Sequence, residues 1–214
     1  MNRWDIARVE GYISDQVEES VTLDYKAADS LQRRDDKKRE VTKDVSAMAN
    51  SAGGILLYGV REHSNEARKH LPEKLDPIDR TAFSKETLEH VINNIRPKID
   101  GLVIHPVAVP STPTAVVYVV EIPQSHTAHQ AQDKRYYKRF NFESVPMEDY
   151  ELRDILFRAR SPVLDITLYC KSEQTDLGNR VYGKLFFALE NSSSVSAKNV
   201  LITLSRLPTG DEPN

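Results

Sequence analysis

Val45-Ser46-Ala47-Met48-Ala49-Asn50-Ser51-Ala52-Gly53-Gly54-Ile55-Leu56-Leu57-Tyr58-Gly59-Val60 is the stretch on which the fold turns. Its first half closes a helix over 36–51, where Val41, Val45, Met48 and Ala49 recur at helical spacing and form one apolar stripe. Gly53-Gly54 ends that helix, because glycine accepts the positive-φ turn that other residues resist. Residues 55–61 read as a strand, and their apolar run predicts burial on both faces. Asn50 either hydrogen-bonds the turn backbone or reaches a ligand.

Working outward, residues 21–26 alternate Val, Leu, Tyr against Thr, Asp, Lys, the pattern of a half-buried strand. Residues 3–16 form an amphipathic helix rather than an apolar leader. The polar stretch 63–82 reads as a long surface loop. Ser84 caps a helix that carries Leu88, Val91, Ile92 and Ile95 and stops at Pro97. Residues 102–109 and 115–122 are strands joined through a Pro-Ser-Thr-Pro turn. A strand over 135–142 and a helix over 147–158 follow. The fold class is therefore α/β (α+β), a mixed sheet with packed helices, over residues 1–160. After Ser161-Pro162 the pattern becomes all-β, with strands over 163–170, 183–190 and 200–204. Residues 161–214 are expected to be an incomplete immunoglobulin-like piece, since such a sandwich needs about seven strands.

The bulk properties exclude several classes. A single cysteine, Cys170, rules out an intrachain disulfide framework and a Cys-rich zinc site. No apolar run is long enough to span a bilayer, so a cytoplasmic protein without membrane contact is expected. Net charge is −3, so any nucleic-acid contact must come from a local patch rather than the overall field.

Two sets of residues carry chemistry. Glu19 precedes the 21–26 strand, and Asp24 should point away from whatever Leu23 and Tyr25 bury. Glu62 ends the 55–61 strand. If those strands are neighbours, three carboxylates meet near one sheet edge, and a divalent cation such as Mg²⁺ or Mn²⁺ relieves their repulsion. Such an ion activates water and steadies the leaving oxygen in phosphodiester cleavage. Taken singly, each acid is also an ordinary solvated group. In Lys134-Arg135-Tyr136-Tyr137-Lys138-Arg139, alternation puts Arg135, Tyr137 and Arg139 on one face. Two guanidinium groups and a phenol suit a phosphate backbone with base stacking; a charged edge strand is the alternative.

At this point the motifs resemble those of the Schlafen/AlbA-type domain. Residues 19–26, ESVTLDYK, are similar to its E-S-x-x-L-E-F-K opening, and residues 45–60 to its A-F-A-N-T-x-G-G-x-L-x-x-G-V core. Ile95-Arg96-Pro97 resembles its I-x-P, residues 117–123 its V-x-V-I-x-V-P, and Tyr136-Tyr137-Lys138-Arg139 its Y-Y-x-R. The resemblance implies a nucleic-acid-handling module, either a metal-dependent endoribonuclease acting on structured RNA such as transfer RNA, or a non-catalytic DNA- or RNA-binding regulator whose C-terminal domain serves protein interaction. It matches Glu19, Asp24 and Glu62 to metal-binding catalytic acids, with Asp24 standing where the pattern has Glu and Glu62 where it often has Asp. The nucleic-acid-binding set is expected to be Lys26, Asn50, Arg135, Tyr137, Lys138 and Arg139. Nuclease Schlafens join two related lobes into a crescent around RNA, which for a one-lobe chain implies a homodimer lined by Arg135, Lys138 and Arg139.

Overall fold

A computed structural model of the chain describes residues 4–110, 112–158, 162–174, 181–193 and 195–203. It contains two compact units, Met1–Arg158 and Ala159–Asn214. In the first unit, α1 (Ile6–Ser14) starts at Asp5, whose side chain accepts the Arg8 N–H at 2.9 Å. It is followed by β1 (Leu23–Lys26), α2 (Asp35–Asn50) and β2 (Gly54–Tyr58). The strand expected to run through residue 61 breaks at Gly59, where φ is +102°, and resumes as β3 (Val60–Glu62). The stretch 63–82 is not a simple loop: it holds β4 (Pro72–Leu75), paired antiparallel with β3, and β5 (Ile78–Asp79). Then come α3 (Lys85–Ile92), β6 (Val103–Ala108), β7 (Ala115–Ile122), β8 (Tyr137–Phe140), β9 (Glu143–Pro146) and α4 (Asp149–Arg158).

The main sheet is mixed, as expected. β1 runs parallel to β2, with Asp24 opposite Leu56, and β7 pairs antiparallel with β2, β5 and β6. Alternation along β2 and β7 sends side chains to two separate cores. Leu56, Tyr58, Tyr118 and Val120 pack against α2 and α3 residues such as Val45, Met48, Leu88 and Val91. Leu57, Val117 and Val119 pack on the other face with Leu23, Tyr25 and the Trp4 and Val9 side chains. The central strands are thus buried on both faces, which is why they carry no polar alternation.

Gly54 is the close-approach point. A Cβ there would lie 2.3 Å from the Thr22 carbonyl oxygen, in a backbone with φ of +147°. Only glycine lets β2 start directly beneath the turn that launches β1.

In the second unit, β10 (Leu164–Gln174) and β11 (Val181–Asn191) form an antiparallel ribbon with Leu164 opposite Asn191. Ile166, Leu168, Leu185 and Phe187 are exposed. The strand expected at 200–204 is not present among its described residues, 200–203, and the described part forms a ribbon rather than the facing sheets of a sandwich. Among the described residues, no helix is long and apolar enough to cross a membrane.

Candidate metal centre and its basic surround

β1 presents Leu23 and Tyr25 to the α1-side core, so Asp24 faces the opposite way, as alternation requires. It is fully buried nonetheless, because the β8–β9 hairpin covers it. Glu19 sits before a tight turn closed by the Ser20–Leu23 bridge, and its Oε1 accepts the Tyr25 N–H at 2.9 Å. Glu62 is aimed by a register shift between Arg61 and Glu62 in the β3–β4 pair, the kind of irregularity that redirects a side chain. Its neighbour Arg61 turns to Asp76 instead, at 2.7 Å. One carboxylate oxygen from each of Glu19, Asp24 and Glu62 lies within 4.8 Å of the others. The sequence expectation that these acids share an edge is met in position.

Electrostatics follow from the crowding. Burial pushes Glu19 up to about 11, helped by hydrogen bonds to Asp24 and Glu62 that require a proton and by the Asp24 charge. Burial would also raise Asp24, but Lys26, the bond from Glu19 and Arg139 outweigh it and hold the carboxyl below its usual range. Lys26 Nζ lies 2.5 Å from one Asp24 oxygen, and Arg139 donates to the other at 2.9 Å. Burial works against the Lys26 charge, yet Asp24 and Asp44 raise its pKa. His70 places Nδ1 3.7 Å from Glu19 Oε2 and stacks on Phe142 with ring centroids 3.9 Å apart.

Three oxygen donors, from β1, β3 and the turn before β1, suit a hard divalent cation with open positions for phosphate. Burial and the neighbouring acids favour a proton on Glu19, a cation there would relieve the same crowding, and two further carboxylates are in reach, so the donor set fits such an ion. Glu19, Asp24 and Glu62 would hold it, and Lys26 and Arg139 keep Asp24 oriented.

The basic face differs from expectation. Tyr137 and Arg139 do share a face of β8, but that face turns inward against α2. Arg139 is 5% exposed and also bonds the Ser20 carbonyl, while its backbone N–H donates to Ser51 Oγ at 2.8 Å. Asn50 is buried: its amide nitrogen donates to the His129 and Tyr137 carbonyls at 3.0 and 2.8 Å, and its oxygen accepts the His129 N–H at 2.7 Å. That is the turn-backbone alternative, realised against a distant segment. Lys138 is half-buried and paired with Glu151, and Arg135 is exposed. Contacts between a phosphate backbone and Asn50, Tyr137 or Arg139 therefore require access to buried groups. His70 was hidden in a polar stretch with no periodic signal, and the sequence offered nothing to link it with Glu19.

A family model described as Schlafen, AlbA_2 matches residues 19–148, more than half of the chain. The chain belongs to the Schlafen AlbA_2 family. Membership suggests a nucleic-acid-related function. Among solved structures, the chain is similar to the DIP2311 protein from Corynebacterium diphtheriae at 16% identity and a TM-score of 0.43. That similarity covers 70% of this chain and 27% of the other, so the chain spans about a quarter of that relative's length. No curated protein matches. The family match encloses the three acids and the whole β8–β9 hairpin that covers them.

Proposed function

We propose that this Schlafen AlbA_2 domain is a divalent-cation-dependent endoribonuclease acting on structured RNA such as transfer RNA. The observation that carries the reading is the convergence of Glu19, Asp24 and Glu62 within 4.8 Å. A bound Mg²⁺ or Mn²⁺ would supply an activated water and charge neutralisation at the phosphate. Glu19 gives up its proton on binding, and Lys26 and Arg139 fix the geometry of Asp24. Arg135 and half-buried Lys138 offer cationic contact to the RNA backbone outside the acids, and two copies pairing would lengthen that surface. The reading places the protein in the cytoplasm with its substrate.

A second reading, a binding module that does not cleave DNA or RNA, is favoured by one observation: both Asp24 oxygens already carry basic partners. One experiment separates them. Purified chain is mixed with transfer RNA in Mn²⁺ or in EDTA, and its melting temperature is followed in the same buffers. The nuclease reading expects cleavage in Mn²⁺ only. At a hundredfold excess over Kd, it expects a Tm rise of roughly 5–10 °C, since such binding stabilises by about 2.7 kcal/mol. Glu62→Gln should remove both effects. RNA binding with neither effect establishes the module. Light scattering at micromolar concentration tests the pairing of copies.

A further inference from the structure

Lys26 and Arg139, the two cations on Asp24, also line a cavity of about 420 Å³, within the range of small-ligand sites. Its walls come from β1, α2, β2 and the β8–β9 hairpin. It is polar and of mixed character: Asp44 and Glu40 on α2 and Glu143 on β9 offer carboxylates, of which only Asp44 is buried, while Tyr58, Arg139 and two lysines offer donors. Tyr58 is 1% exposed and Arg139 5%, yet the Tyr58 hydroxyl and Arg139 Nε have no hydrogen-bond partner. Buried polar groups are nearly always satisfied, so unpaired groups on several of the lining residues point to something that enters the cavity. Arg139 is the shared wall: one of its terminal nitrogens holds Asp24, and its unpaired Nε belongs to a side chain that also lines the cavity. Phe142 lines the cavity as well, and its ring is stacked on His70, which stands 3.7 Å from Glu19. The cavity is thus linked to Asp24 through Arg139 and to Glu19 through Phe142 and His70.

We propose that this cavity is a base-reading subsite that accepts a guanine unstacked from the RNA next to the phosphate held at the acids. The inference rests on the proposal that the acids act on RNA. Enzymes that work on a strand commonly draw one base out of the stack and read its edge in a pocket. A carboxylate needs donors, whereas an arginine N–H and a phenol need acceptors. Guanine offers both on neighbouring edges: N1–H and N2–H₂ toward a carboxylate, O6 and N7 toward arginine. Adenine and cytosine each present only an exocyclic amino donor and uracil only its ring N3–H, so none of the three gives a carboxylate two adjacent donors. Lys43, on the same helix as Asp44 and also lining the cavity, faces the site with a charge suited to the attached phosphate. Burial first, and the Asp24 charge after it, raise Asp44, while Lys26, Lys43 and the Ser144 hydroxyl oppose the rise. A ligand that donates two hydrogen bonds to that carboxylate would favour its charged form.

The test is calorimetric titration of the full chain with guanosine, adenosine, cytidine and uridine 3′-monophosphates in EDTA, where no cleavage can occur. Guanosine 3′-monophosphate should bind at least about tenfold tighter than the other three, the discrimination a good two-point base contact gives. Asp44→Asn should erase the preference. Tyr58→Phe should weaken guanine binding several-fold yet leave the melting temperature unchanged, because the hydroxyl it removes has no partner in the free protein. Equal binding of all four nucleotides, or a preference that survives Asp44→Asn with an intact fold, overturns the proposal. Crystals soaked with guanosine 3′-monophosphate that show only ordered water beside Tyr58 and Arg139 overturn it too. The Mn²⁺-dependent Tm rise and transfer RNA cleavage are read separately. Their loss with guanine binding retained defeats the nuclease reading, and the reverse pattern defeats the subsite alone.

Discussion

Replacing Arg139 with methionine asks whether this residue is a buried structural cation or a surface contact for phosphate. Asp24 is fully buried, with Arg139 on one oxygen at 2.9 Å and Lys26 on the other at 2.5 Å. Removing one partner of a buried ion pair costs about 3–5 kcal/mol, because the remaining charge stays in a poor dielectric. Lys26 persists, so the low end applies, about 3 kcal/mol. For a domain of this size each kcal/mol moves Tm by roughly 2–4 °C, which gives a fall of about 6–12 °C at pH 7. The pH dependence has a definite sign. Asp24 is held below its usual range, so the pair stabilises above the unfolded value near 3.9 and is lost as pH falls through the folded value. In Arg139→Met the orphaned carboxyl takes a proton at higher pH, so the gap to wild type should narrow as pH falls from 7 toward 4. Adding Asp24→Asn should restore part of the lost stability, since the uncompensated carboxylate is gone while Lys26, partly exposed, keeps Asp44 as a counter-charge. Thermal melts followed by circular dichroism at several pH values measure all of this. A shift under about 2 °C, or no recovery in the double variant, would refute the buried-pair argument and return Arg139 to the surface.

Two further outcomes are expected. Asn50→Ala should cost about 3 kcal/mol, roughly 1 kcal/mol for each of its three buried hydrogen bonds, and amide exchange should speed up across Tyr137–Phe140 before the rest of the sheet. Asn50→Asp should cost at least as much, since it sets a buried carboxylate oxygen against the two carbonyls that the amide nitrogen served. Glu19 is raised, so in metal-free buffer its contribution is greatest near the unfolded value of about 4.3 and is lost as pH climbs toward about 11. Wild-type Tm should therefore decline from pH 5 to pH 9, and Glu19→Gln should flatten that decline and be the more stable protein at pH 9. A parallel decline in both proteins would rule out Glu19 as its source.

The legible parts of this fold were those with a strong period. The stripe of α2 and the apolar runs of β2 and β7 disclosed a helix and two central strands, because burial on a fixed geometry leaves a regular trace. Alternation placed Asp24 opposite Leu23 and Tyr25 and grouped Tyr137 with Arg139. It could not say which face was inward, because an arginine facing solvent and one buried on an aspartate read alike. β4, β5 and β9 went unseen: they are two to four residues long, partly polar, and held by main-chain pairing that side chains do not advertise. The break at Gly59 was masked by apolar residues on both sides. The convergence of the acids was legible only as a condition, that β1 and β2 be neighbours. The redirection of Glu62 by a shifted register, and the arrival of His70, depend on three-dimensional detail that no short window contains. Immunoglobulin-like character was read from a turn-like sequence after residue 187, and the described strands there form only a ribbon.

The bond from Arg139 to Asp24 joins residues 115 positions apart, and Asn50 reaches Tyr137 across 87. Contacts of such high order oblige the chain to close large loops against its own entropy. The candidate centre consequently has no partial version. A chain lacking β8 would hold Glu19, Asp24 and Glu62 with Lys26 alone as the cation on Asp24, and without the guanidinium that occupies its second oxygen. Completion of the last hairpin is then the arming step, and it ties any chemistry at the acids to a domain that has already finished folding.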